Sequence, residues 1–89
     1  MNFLTKENME YLTCNFINKF SELSFGGCEV ISRENLLFEA VIKINIYNKR
    51  LEFSAVEKKK QAAKDSAARQ TIQFLRRNGF NPFKENFAS

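Results

Sequence analysis

The sequence predicts an α+β domain in the order α-β-β-β-α, a three-stranded antiparallel sheet with two helices packed on one face. Three observations carry this. Apolar residues recur at helical spacing over residues 5–23, alternate with polar ones over residues 36–56, and give way to alanines at helical spacing over residues 58–78. The chain of 89 residues is long enough for one modest core. Residues 1–79 form the expected domain and residues 80–89 an aromatic tail.

The first helix is expected over residues 5–23. Leu12, Phe16, Phe20 and Leu23 fall at i, i+4, i+8 and i+11, with Met9 and Ile17 flanking that stripe. The stripe is read as core. Thr5, followed by Glu7 and Asn8, suits a helix start. Gly26-Gly27 breaks the chain, and a short strand follows over residues 28–32. Arg33-Glu34-Asn35 makes a turn. A longer strand spans residues 36–46, with Phe38, Ala40, Ile42 and Ile44 on one face and Glu39, Val41, Lys43 and Asn45 on the other. Asn48-Lys49 turns the chain again. Leu51, Phe53 and Ala55 then alternate with Glu52, Ser54 and Val56 in a third strand. Such short connections favour an antiparallel meander. The last helix, residues 58–78, carries Ala63, Ala67, Thr71 and Leu75 on one stripe with Ala68, Ile72 and Phe74 beside it. Gly79 stands where a left-handed helix stop belongs. The tail holds Pro82 and the spare aromatics Phe80, Phe83 and Phe87.

Composition narrows the chemistry. There are ten Phe, no Trp and no His. Without His, no Ser-His or Cys-His nucleophile pair can be built. A zinc site would lack both His ligands and a full set of thiolates, and the carboxylates are scattered. No catalytic residue, metal, cofactor or small-molecule substrate is therefore expected, and the chain is not expected to be an enzyme by itself. Cys14 and Cys28 could form one disulfide. The Lys-rich composition, with no signal peptide ahead of them, favours buried free thiols and an intracellular site, cytoplasmic or nuclear. No apolar run approaches the roughly 20 residues of a membrane span, so no membrane partner is expected.

Charge is unevenly spread. Residues 1–47 carry four Lys or Arg against six Glu, a net of −2, whereas residues 48–89 carry ten Lys or Arg against four acids, a net of +6. A basic half points to a polyanion, although a solvated surface alone would look the same. The positions are more telling. Lys58, Lys59 and Lys60 sit where the last helix begins. Cations are unfavourable there by about 0.3–1 kcal/mol each, because the helix N-terminus is already positive. Folding alone would favour Asp, Ser or Glu. A bound anion removes the conflict, since free backbone N–H groups, helix dipole and lysines would then all face it. Lys64 lies one turn beyond Lys60 on the same face.

The order of elements and the stretch Lys60-Gln61-Ala62-Ala63-Lys64-Asp65-Ser66-Ala67-Ala68-Arg69 resemble the double-stranded RNA-binding domain, whose second helix carries Lys-Lys-x-Ala-Lys-x-x-Ala-Ala-Lys/Arg. The strand Phe38-Glu39-Ala40-Val41-Ile42-Lys43-Ile44 is similar to the family's second strand. The continuation to Phe74-Leu75 is similar to domains of RNA helicase A-type proteins. The resemblance covers residues 7–77. It implies that Lys60 and Lys64 take the first and third motif lysines, with Lys58 and Lys59 supplying charge upstream, all contacting phosphates across a major groove. In the alternative register, Lys59-Lys60 serve as the pair. The resemblance also implies that the first helix and the loop between strands one and two touch flanking minor grooves, reading A-form shape and 2′-hydroxyls. Candidates for those contacts are Asn15, Asn18 and Lys19 on the first helix and Arg33 and Asn35 in the loop. Gln61 stands where the motif's second lysine usually is. This chain departs from the family in two further places: the turn Ser32-Arg33-Glu34-Asn35 is shorter and lacks the usual Gly-Pro-x-His, and the first helix is longer than usual, with a polar face (Asn15, Asn18, Lys19, Glu22) that has no clear family match.

The expected function is therefore shape-selective, non-catalytic binding of double-stranded RNA, in an accessory or regulatory role in RNA processing. The alternative is a protein-interaction module of the same fold that forms a homodimer or binds a partner protein, with little RNA binding. Its surface would be the open sheet face near Val41 and Val56 or the edge of strand three.

Overall fold

The computed structural model describes residues 9–80. The elements run α1 (Met9–Ile17), β1 (Leu23–Arg33), a short 3-10 turn (Glu34–Leu36), β2 (Leu37–Ile46), β3 (Lys49–Glu57) and α2 (Lys60–Arg77). The strands form one antiparallel sheet in the order β1-β2-β3. The α-β-β-β-α order and the α+β class are as the sequence predicts. The expected helix start at Thr5 lies outside the described residues, as do Pro82, Phe83 and Phe87 of the tail.

The central strand holds the core. Ala40, Ile42 and Ile44 alternate along β2 and are fully buried, and both helices lie over that face. From α2 come Ala63, Ala67, Ala68 and Leu75, all with no exposed surface. The alanines let the helix backbone settle close to the sheet, where enlarging one would cost about 1–3 kcal/mol through overpacking. Thr71 is buried in the same stripe, its hydroxyl donating to Ala67 O at 2.9 Å. Thr13 does likewise in α1, donating to Met9 O at 2.7 Å. Such back-bonding is what makes a hydroxyl tolerable in an apolar seam. Phe53 of β3 packs on Phe74 of α2 with ring centroids 5.2 Å apart.

Three expectations about the first half are corrected. The helix ends at Ile17, not at residue 23. Its last turn tightens into i→i+3 bonds, Lys19 N–H to Phe16 O and Phe20 N–H to Ile17 O. Its buried residues are Thr13, Phe16 and Ile17, whereas Leu12 is 46% exposed. Phe20 follows the helix, and Leu23 begins β1 opposite Ile46. An apolar stripe drawn through 12, 16, 20 and 23 runs across the end of the helix, so half of it belongs to no helix face.

Gly26-Gly27 does not break the chain. It lies within β1, at a register shift between Phe25 and Gly27. Gly27 has φ +112°, a conformation L side chains rarely adopt. A Cβ on Gly26 would stand 3.1 Å from Lys43 O. The bulge lets one strand run from Leu23 to Arg33 while keeping Phe25 and Cys28 both on the helix side, opposite Ile44 and Ile42. The expected Asn48-Lys49 turn is also shifted by one residue. Ile46 and Lys49 are paired, and Tyr47-Asn48 connects them, with Tyr47 at φ 56°.

The far end of α2 closes as the sequence predicts. Gly79 takes φ +94°, Gly79 N–H donates to Arg76 O at 3.2 Å, and Phe80 N–H donates to Leu75 O at 2.9 Å. This is the paired arrangement of a Schellman stop. The Phe80 ring then packs edge-on against Phe20, 5.2 Å between centroids.

Candidate functional site

The start of α2 is built differently. Lys59 is the N-cap residue, with φ −123° and ψ 145°, and makes no side-chain cap hydrogen bond. The first turn contains no acid. Residues 58–60 are all exposed. The first N–H groups of the helix thus face solvent among lysines, the arrangement that attracts an anion.

Each lysine is held differently. Lys60 Nζ lies 5.6 Å from the centroid of the Phe38 ring, a contact worth about 0.5–1 kcal/mol at an exposed site. Lys64 is only partly exposed and pairs with Glu10 of α1, Nζ to Oε1 3.6 Å. Gln61 donates to Asp65 Oδ1 at 3.0 Å. Half-buried Cys28 of β1 lies within reach of the same charges. Burial pushes its thiol pKa up, Glu10 pushes the same way, Lys64 opposes, and Glu29 adds a further push upward. Cys14 and Cys28 are both free thiols, as expected, but each is only partly buried and neither belongs to the fully buried core.

The strand register sets what stands beside the lysines. Phe38 pairs with Glu57 and Arg33 with Leu37. The β1–β2 turn, the end of β3 and the start of α2 therefore share one end of the sheet. Arg33 is engaged by Glu39, which accepts from its Nε at 2.8 Å and from its Nη2. Asn35 and Leu36 both adopt left-handed backbone, φ 63° and 60°. For Leu this is uncommon and costs about 1–2 kcal/mol, and its side chain is 86% exposed. A depression of about 560 Å³ opens nearby, lined by Ser32, Arg33, Glu34, Leu37, Glu39 and Val56.

The first-helix candidates divide. Asn15 is exposed on α1. Asn18 and Lys19 follow the helix and lead to Leu23, which pairs with Ile46 beside the β2–β3 turn, at the opposite end of the sheet from the lysines. Asn18 Nδ2 donates to Cys14 Sγ at 3.6 Å. The α1 residue that meets the lysine row is Glu10. Its distance along the chain hides that meeting from sequence reasoning, and no periodicity within α1 reveals it.

Among the described residues, no three of His, Cys, Asp and Glu gather as a metal site. No described helix is long and apolar enough to cross a membrane. Compared with known proteins, the chain matches no family model, no curated protein and no solved structure.

Proposed function

We propose that this chain is a double-stranded RNA-binding module of the dsRBD type, working inside the cell, in cytoplasm or nucleus, as a non-catalytic accessory to RNA processing or regulation. The observation that carries the reading is the start of α2, where Lys58, Lys59 and Lys60 surround an uncapped helix N-terminus. Lys64 follows one turn later. Phosphate oxygens would take the positions that a capping side chain leaves unfilled, and the lysines would bridge successive phosphates of an A-form duplex. The β1–β2 turn at the same end of the sheet would reach a neighbouring minor groove through Arg33 and Asn35, once Arg33 is released from Glu39. Asn15 is the α1 candidate nearest in kind to a 2′-hydroxyl partner.

Gel-shift titration of an RNA duplex of about 20 base pairs tests this, against the same sequence as DNA duplex and as single strands. The reading requires RNA-duplex binding that weakens steeply with salt and is indifferent to sequence. Equal binding to all three would reduce the site to a general polyanion surface.

A second reading is a protein-interaction or dimerisation module of this fold with weak RNA binding. Leu36 is 86% exposed on a strained turn, with Ile31 at 39% and Val56 at 49% nearby on the open sheet face. Those apolar groups favour a protein contact over a solvated surface. Sedimentation at several concentrations, with and without the duplex, separates the two.

A further inference from the structure

The ion pair between Glu10 and Lys64 joins α1 to the lysine row, and the phosphate-clamp reading makes no use of it. Lys64 Nζ stands 3.6 Å from Glu10 Oε1, and the two side chains keep 32% and 38% of their surface. Among the described residues, it is the one ion pair formed by any of Lys58, Lys59, Lys60 and Lys64. The pair joins α1 to α2, where Thr13 and Phe16 of the one and Ala67 and Thr71 of the other are buried. Glu10 is presented to Lys64 from the first turn of α1.

We infer that Glu10 is an internal competitor for Lys64, an acid presented by α1 that occupies the lysine until a phosphate displaces it, so that α1 sets the affinity of the α2 clamp. The inference rests on the reading of α2 as a phosphate site. When RNA binds, the ammonium exchanges one oxyanion for another, and the carboxylate returns to water next to an approaching phosphate. Lys64 therefore contributes less to binding than Lys60, although both lie on one helix face. A partly exposed pair of this kind lowers affinity by about two- to fivefold relative to a lysine with no acid partner. A partner that draws Glu10 away, or a change that neutralises it, would strengthen RNA binding with no alteration at the lysines.

The test is a double-mutant cycle in the full chain, read as Kd for a 20-base-pair RNA duplex at low salt, with far-UV melts confirming that each variant is folded. Glu10→Gln keeps the side chain's size and removes its charge. It is expected to tighten binding about two- to fivefold, and the gain is expected to vanish in the Lys64→Gln background. An equal gain in both backgrounds would show that Glu10 acts through the general field and overturns the inference. Unchanged or weaker binding of Glu10→Gln also overturns it, and weaker binding would make Glu10 an RNA contact itself. These outcomes leave the clamp reading intact, because that reading depends on whether the wild-type chain binds the duplex. Binding by no variant overturns both.

Discussion

The two ends of α2 follow opposite rules. At its C-terminus every local preference agrees: Arg76 and Arg77 stand where the helix dipole favours cations, Gly79 supplies the left-handed residue, and Phe80 closes the stop while its ring packs on Phe20. At its N-terminus the preferences are reversed: cations stand at the positive end, Lys59 offers no capping oxygen, and the first turn has no acid. Folding preferences account for the C-terminal end and leave the lysines of the N-terminal end unexplained. Local rules fail together where a site is needed.

The largest effect that would break this comparison is on binding. Lys60→Glu with Lys64→Glu places two acids at the start of α2, which should help the helix and repel phosphate. RNA-duplex affinity is expected to fall at least tenfold, read by gel shift at about 0.1 M salt. If affinity holds, the clamp is misplaced.

A smaller effect is expected at the other end. Gly79→Ala forces a Cβ into φ +94° and should cost about 1–2 kcal/mol, a fall in Tm of several degrees for a domain of this size, with RNA affinity unchanged. A loss of affinity there would mean that the two ends are not separable.

Leu36 extends the contrast to the β1–β2 turn. Leu36→Gly removes the left-handed strain and should stabilise the fold by about 1 kcal/mol in denaturant unfolding. A destabilised Leu36→Gly would show that the side chain packs in the native state and is not poised for a partner.

The smallest effect concerns Cys28. Its thiol is pushed above its ordinary value of 9.0, chiefly by burial. The folded state therefore holds that proton more tightly than the unfolded chain. Stability from this group is full below pH 9.0 and is lost as pH rises through the higher folded value. Alkylation of Cys28 near pH 8 is expected to be slower in the folded protein than in the unfolded chain, by mass-spectrometric counting of labelled thiols.

Much of the fold is legible in the residues themselves. The alternation of Ala40, Ile42 and Ile44 and the stripe of Ala63, Ala67, Thr71 and Leu75 each identify a buried face, because burial imposes a period that survives in sequence. The stripe through Leu12 and Leu23 misleads for the converse reason: apolar residues on either side of a helix end can fall into step by chance. The bulge at Gly26-Gly27 is hidden because glycine marks a chain break and a strand irregularity alike, and only pairing with Lys43 decides between them. The candidate site is half legible. Lysines at a helix start conflict with the dipole, and that conflict is visible in one dimension. The Glu10–Lys64 pair, the strain at Leu36 and the separation of Asn18 and Lys19 from the lysine end all depend on how the elements are laid against one another.

One substitution weighs the central claim at a single residue. Lys59→Asp supplies the missing cap, worth about 0.5–2 kcal/mol, and removes a cation from the proposed phosphate site. Tm and RNA-duplex Kd are measured on the same preparation. The account predicts a higher Tm together with binding weakened about tenfold, stability and affinity moving in opposite directions. A higher Tm with unchanged Kd would contradict it, leaving the lysines at the start of α2 as a solvated surface and nothing more.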